Sequence, residues 1–135
     1  MADVTVTAAN VQPDGAAEIL AGTAGATITA GQSVYLDTSV SKYKLADADA
    51  SATSVAAGIA VNSASDTQPI DILTEGDLTI GGTLVVGTAY YVSTTAGGVA
   101  PEADIGSGDF MCFLGIARSA AVLAVKVLSS TTAKP

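Results

Sequence analysis

The feature that most constrains the fold of this chain is a sequence repeat. "GQSVYLD", Gly31 to Asp37, is followed 56 positions later by "GTAYYVS", Gly87 to Ser93. The preceding segments pair in the same register, "GATITAG" from Gly25 with "GGTLVVG" from Gly81. Further along, "LADAD" from Leu45 pairs with "APEAD" from Ala100, "GIAVNSA" from Gly58 with "GIARSA" from Gly115, and "PIDIL" from Pro69 with "AVKVL" from Ala124, at offsets of 55, 57 and 55. Ordered matches separated by small slips are what a duplicated unit with loop insertions leaves behind. Two copies of about 56 residues are too few and too long for a solenoid, which needs about three or more stacked units.

Each copy reads as strands. An apolar pair ends at Gly31 or Gly87, "SVYL" or "AYYV" follows, then a polar turn, then the short runs "KYKL" or "GVA". Runs of this kind around Ser/Thr/Gly turns are hairpin signals. An acidic loop leads to the alternating strands "VAAGIAV" or "FMCFLGIA" and to a closing strand. Ala, Thr, Gly, Ser and Val dominate, so small and β-branched residues interrupted by Gly favour short strands over helices. The expectation is an all-β protein, a small barrel or clip of two pseudo-symmetric repeats, 25–80 and 81–128. Residues 1–24 read as an extended N-terminal arm and 129–135 as a flexible tail. At 135 residues the whole is one domain with enough core to fold without metal or disulfide.

Composition removes several function classes. The net charge of −8, without a local Lys/Arg cluster, opposes phosphate backbones, so nucleic acid is not an expected partner. With no His, triads of the Ser/His/Asp or Cys/His kind are excluded, as are the usual zinc sites. "DADASA" from Asp47 starts like a calcium loop, but Ala52 stands where the turn glycine is needed and Gly58 where the bidentate Glu belongs. Glu102 and Asp104 form a carboxylate pair in the matching loop, and "IGSGDF" lacks the third glycine of a dinucleotide fingerprint. The expectation is a protein that is no enzyme and uses no cofactor or metal.

The uncharged stretch Leu78 to Ala100 holds five glycines and no unbroken apolar run of membrane-spanning length, so a membrane partner is not expected. The first residues lack the basic and apolar regions of an export signal. The lone Cys112 suits a buried position in its strand. Tyr90 and Tyr91 must point to opposite faces, which makes Tyr35, Tyr90 and Tyr91 candidate subunit contacts, with at most one of the adjacent pair in the core. The leader "ADVTVTAANVQPDG" alternates like a strand and ends in a turn signal, so Ala2, Asp3, Val4, Thr5, Val6 and Thr7 are the candidate adhesive arm.

Thr27 to Leu78 resembles the capsid decoration, or cement, proteins of tailed phages. The resemblance rests on the "LDTS...KYKLAD" hairpin, the "GIAV" strand with its polar turn, and the closing "PIDILTEGDL", and it covers about two-fifths of the chain. It implies a small β-clip or β-tulip protein on the outer surface of the virion capsid, made in the host cytoplasm, binding the phage major capsid protein, commonly as a homotrimer. The lambda-type members do not repeat the unit, whereas this chain does, and duplication can replace subunit contacts by intrachain ones. A carbohydrate-binding β module of a phage tail or bacterial surface is the rival expectation, weakened by only six aromatic residues and no Trp.

Overall fold

The computed structural model describes residues 3–133, with side chains described to Leu128. The chain is nearly all β, and its antiparallel sheet curls into a half-barrel. In chain order the strands are β1 (Gln12–Pro13), β2 (Glu18–Thr23), β3 (Ser33–Asp37), β4 (Lys42–Leu45), β5 (Gly58–Ala60), β6 (Pro69–Thr79), β7 (Ala89–Val92), β8 (Val99–Pro101), β9 (Phe110–Ala117) and β10 (Val122–Ala133). One helical turn, α1 (Ser51–Ser54), and short 3-10 turns at Ala8–Asn10 and Glu102–Asp104 interrupt them.

The strand order runs β4-β3-β5-β6-β10-β9-β7-β8, with β1 and β2 also on β6. The repeat is visible in the ladders. Ser33 pairs with Ile59 and Val34 with Gly58, as Ala89 pairs with Ile116 and Tyr90 with Gly115. Val34 faces Leu45 as Tyr90 faces Pro101. The turn glycines match as well: Gly31 at φ 93° and Gly87 at φ 81° donate their N–H groups to Ala60 and Ala117 at 2.8 and 2.9 Å. The hairpin tips carry the positive φ at Ser41 in one copy and Gly97 in the other.

The shared ladders define two units with one strand in common. The first has the order β2-β6-β5-β3-β4 and the second β6-β10-β9-β7-β8. β6 therefore closes the first unit through Leu73, paired with Ile59, and opens the second from Glu75, paired with Lys126. The changeover lies at Gly76, whose φ of 126° favours glycine and where a Cβ would press on Ala17. By these ladders the first unit begins at Glu18, because β2 lies on β6 as the end of β6 lies on β10.

Two of the sequence matches are out of register. Leu45 corresponds to Pro101, an offset of 56, and Leu73 corresponds to Ala124, an offset of 51 rather than 55. The reason is the hairpin before the closing strand, which is longer between β5 and β6 than between β9 and β10. A slip of four residues keeps the same side chains on the same face, so alternation alone does not reveal it.

The main core gathers Ile59, Leu73, Leu78, Ile80, Tyr90, Val92, Leu114 and Leu123, with Cys112 among them. A second cluster inside the first unit holds Ile28, Val34, Tyr43, Ile70 and Ile72. The leader differs from the expected arm. Val4, Val6 and Val11 pack on the main core, and residues 12–23 run antiparallel along β6. The physical reason is that β6 would otherwise leave one edge unpaired, and the leader's valines supply apolar cover at Gly31 of the first unit and at Gly81 and Gly82 of the second.

Candidate functional site

The acidic loop after β4 is built by its own side chains. Asp47 accepts a hydrogen bond from the Asp49 N–H at 2.9 Å, and Thr53 Oγ1 donates to the Asp47 carbonyl at 2.8 Å. The Asp47 charge, then burial and the charge of Asp109, raise the Asp49 carboxyl above its ordinary range. Among the described residues no group of three or more His, Cys, Asp or Glu side chains is placed to hold a metal ion. Glu102 and Asp104 both lie in the 3-10 turn after β8, two residues apart on one short element.

At the hairpin of the first unit, Lys44 Nζ donates to Asp37 Oδ2 at 2.8 Å, and Ser39 donates both its hydroxyl and its N–H to Asp37. These partners lower the Asp37 carboxyl to about 2, the Lys44 bond contributing most. They fix a tip whose outward side chains include Leu36 and Val40.

The leader is held by specific contacts. Asp3 accepts from Ser93 Oγ at 2.7 and 2.8 Å, Val4 donates its N–H to the Val99 carbonyl at 2.8 Å, and Thr7 does the same to Gly81 at 2.8 Å. Gly81 and Gly82 make the approach possible, because a Cβ at either would strike the carbonyl of Thr7 or Thr5. Thr5 and Thr7 themselves stay exposed. An open groove beside this segment is lined by Asp3, Val4, Thr5, Tyr90 and Pro101. Ala2 lies outside the described residues.

Of the three tyrosines, Tyr90 is buried, and its hydroxyl accepts the Val85 N–H at 3.0 Å. Its hydroxyl is spent within the chain and its ring is almost wholly covered, with only a trace of surface at the groove beside the leader. Tyr91 points to the other face, as alternation requires, and meets Phe113 edge-on with ring centroids 5.8 Å apart. Tyr35 is half-buried at the rim of the main core.

The described surface also carries apolar side chains on the second unit that the sequence reading did not single out: Val85, Val86, Ile116 and Leu128. Val85 and Val86 lie in the turn before β7, and Ile116 and Leu128 on β9 and β10, in segments as apolar as those of the first unit, so only the packing separates them from core. No family model matches the chain, and no curated protein matches it.

Proposed function

We propose that this chain is a decoration protein, binding the outer surface of an assembled tailed-phage capsid and stabilising it. The observation that carries the reading is the ordered resemblance of Thr27 to Leu78 to that family, whose segments fall on consecutive elements from the β3–β4 hairpin to the closing strand β6. The acidic balance suits a soluble outward face. A ligand that binds the shell and not its separated subunits shifts the equilibrium toward the shell, and many weakly bound copies act together.

In this reading the partner is the major capsid protein and the working form is a homotrimer at the virion surface. Swinging the leader out would strip Val4 and Val6 from the core. Of the candidate segment Ala2 to Thr7, residues Asp3 to Thr7 are therefore proposed to meet the shell in place, through the exposed Thr5 and Thr7, rather than as a detached arm. Cosedimentation with mature and immature phage shells tests the reading. Pelleting with mature shells supports it, and sugar binding on a glycan array without shell binding would replace it by the carbohydrate module.

A further inference from the structure

The two units meet at a junction that leaves a matching pair of surfaces uncovered. In the first unit Ser33, Ile59 and Leu73 form a row across β3, β5 and β6, and all three are fully buried. The β7–β8 hairpin of the second unit meets this side, its Val92 and Val99 sharing the main core with Ile59 and Leu73. Ser33 donates its N–H to the Gly97 carbonyl at 2.9 Å and its hydroxyl to Gly98 at 3.0 Å. Gly97 donates to Ala46 at 2.7 Å, and Ala48 to Ser93 at 3.0 Å. Val92, at the root of that tip, is fully buried.

The equivalent row in the second unit is Ala89, Ile116 and Ala124, across β7, β9 and β10. Here Ile116 is 46% exposed and neither alanine is fully covered. Beside it Val86 is 64% exposed, although its counterpart Ala30 is buried. A Cβ on Gly31 would strike Val6 and Val11, whereas one on Gly87 meets nothing within 4 Å. The opposite half of the junction is open too. The tip of the β3–β4 hairpin corresponds to Ser93–Gly98, and Leu36, the counterpart of buried Val92, is 42% exposed.

We propose that a second copy of this chain occupies this face, with the β3–β4 hairpin of one copy placed against the Ala89–Ile116–Ala124 row of the next, as the β7–β8 hairpin within the chain bonds to Ser33 and shares the main core with Ile59 and Leu73. A scattered exposed apolar residue needs no explanation. Here exposure falls on both halves of one junction whose filled version is present in the same molecule, and Ile116, Leu36 and Val86 are as large as, or larger than, their buried counterparts Ile59, Val92 and Ala30. The contact is head-to-tail, so each copy has one free hairpin and one free face, and the assembly closes into a ring or extends. The inference rests on the repeat and does not depend on capsid binding.

Sedimentation analysis of the full chain tests it, with Leu36→Arg and Ile116→Arg as surface variants. Unchanged circular dichroism shows that each still folds. The wild type is expected above the mass of one chain, and each variant at the mass of one chain. An equimolar mixture of the two is expected to form a dimer and nothing larger, because the intact hairpin of Ile116→Arg fits the intact face of Leu36→Arg. A wild type that stays monomeric at the highest soluble concentration would overturn the proposal and leave the face to the shell, as would variants that remain oligomeric or a mixture that stays monomeric.

Discussion

Gly58 and Gly115 occupy the same place in the two units. A Cβ on Gly58 would collide with the carbonyl oxygen of Leu73, and one on Gly115 with that of Ala124, each a backbone atom of the strand that closes its unit. This is why "GIA" occurs at both positions. Backbone oxygen in a paired ladder has no room to yield, so Gly58→Ala and Gly115→Ala are each expected to destabilise the fold by about 2–4 kcal/mol. Urea denaturation measures the loss, and a cost below about 1 kcal/mol at both sites would disprove the close approach.

Gly31 and Gly87 share a positive φ but not their surroundings. Gly87→Ala is expected to cost about 1–2 kcal/mol for the left-handed backbone alone. Gly31→Ala carries the same strain and also pushes against Val6 and Val11, so its loss should be larger. Equal losses would mean that the leader does not press on Gly31 in solution.

The leader is part of the folded body. Val6→Ala is expected to cost about 1–2 kcal/mol, the partial burial of a valine plus the gap it leaves. Gly82→Val should displace residues 3–7 and make the chain susceptible to limited proteolysis before Val11. Resistance equal to the wild type would place the leader elsewhere.

The carboxylates Asp37 and Asp49 should act in opposite directions with pH. Asp37 titrates below its unfolded value, so its bond to Lys44 supports the fold above the ordinary carboxylate range and fades as pH falls toward about 2. Asp49 titrates above its unfolded value, so its charge opposes folding at neutral pH and protonation relieves it. Asp37→Asn should lower Tm at pH 7, and Asp49→Asn should raise it, with both differences shrinking in acid. Thermal scans across pH give the answer, and a Tm change of the wrong sign at pH 7 would refute the assignment for that residue.

Cys112 is fully buried, and burial pushes its thiol up from the ordinary value. A thiol reagent needs thiolate and access, so native protein should label slowly and denatured protein at once. Labelling of the native protein within mixing time would show that β9 opens readily.

The repeat, the all-β class and most strand positions were legible in the amino-acid sequence because they depend on local chemistry. Alternation marks which residues of a strand share a face. Glycines at Gly31, Gly87 and Gly97 mark turns that need positive φ. Burial of Cys112 and the opposed directions of Tyr90 and Tyr91 follow from the same period of two.

What only the tertiary structure decided depends on contacts between distant segments. A period of two cannot distinguish registers that differ by an even number, so the pairing of Leu73 with Ile59 and of Ala124 with Ile116 had to be seen in the ladders. The docking of Val4 and Val6 was hidden because an alternating leader looks the same whether it hangs free or lies against a glycine pair far along the sequence, as Thr5 does at Gly82, 77 positions on. Ile59 and Ile116 sit in the same tripeptide, yet one is core and the other half-exposed. Identical local sequence has identical local preference. Its burial is settled by what packs on top: among the described residues the second unit and the leader cover the first unit, while the matching face of the second, with Ile116 and Val86, stays open.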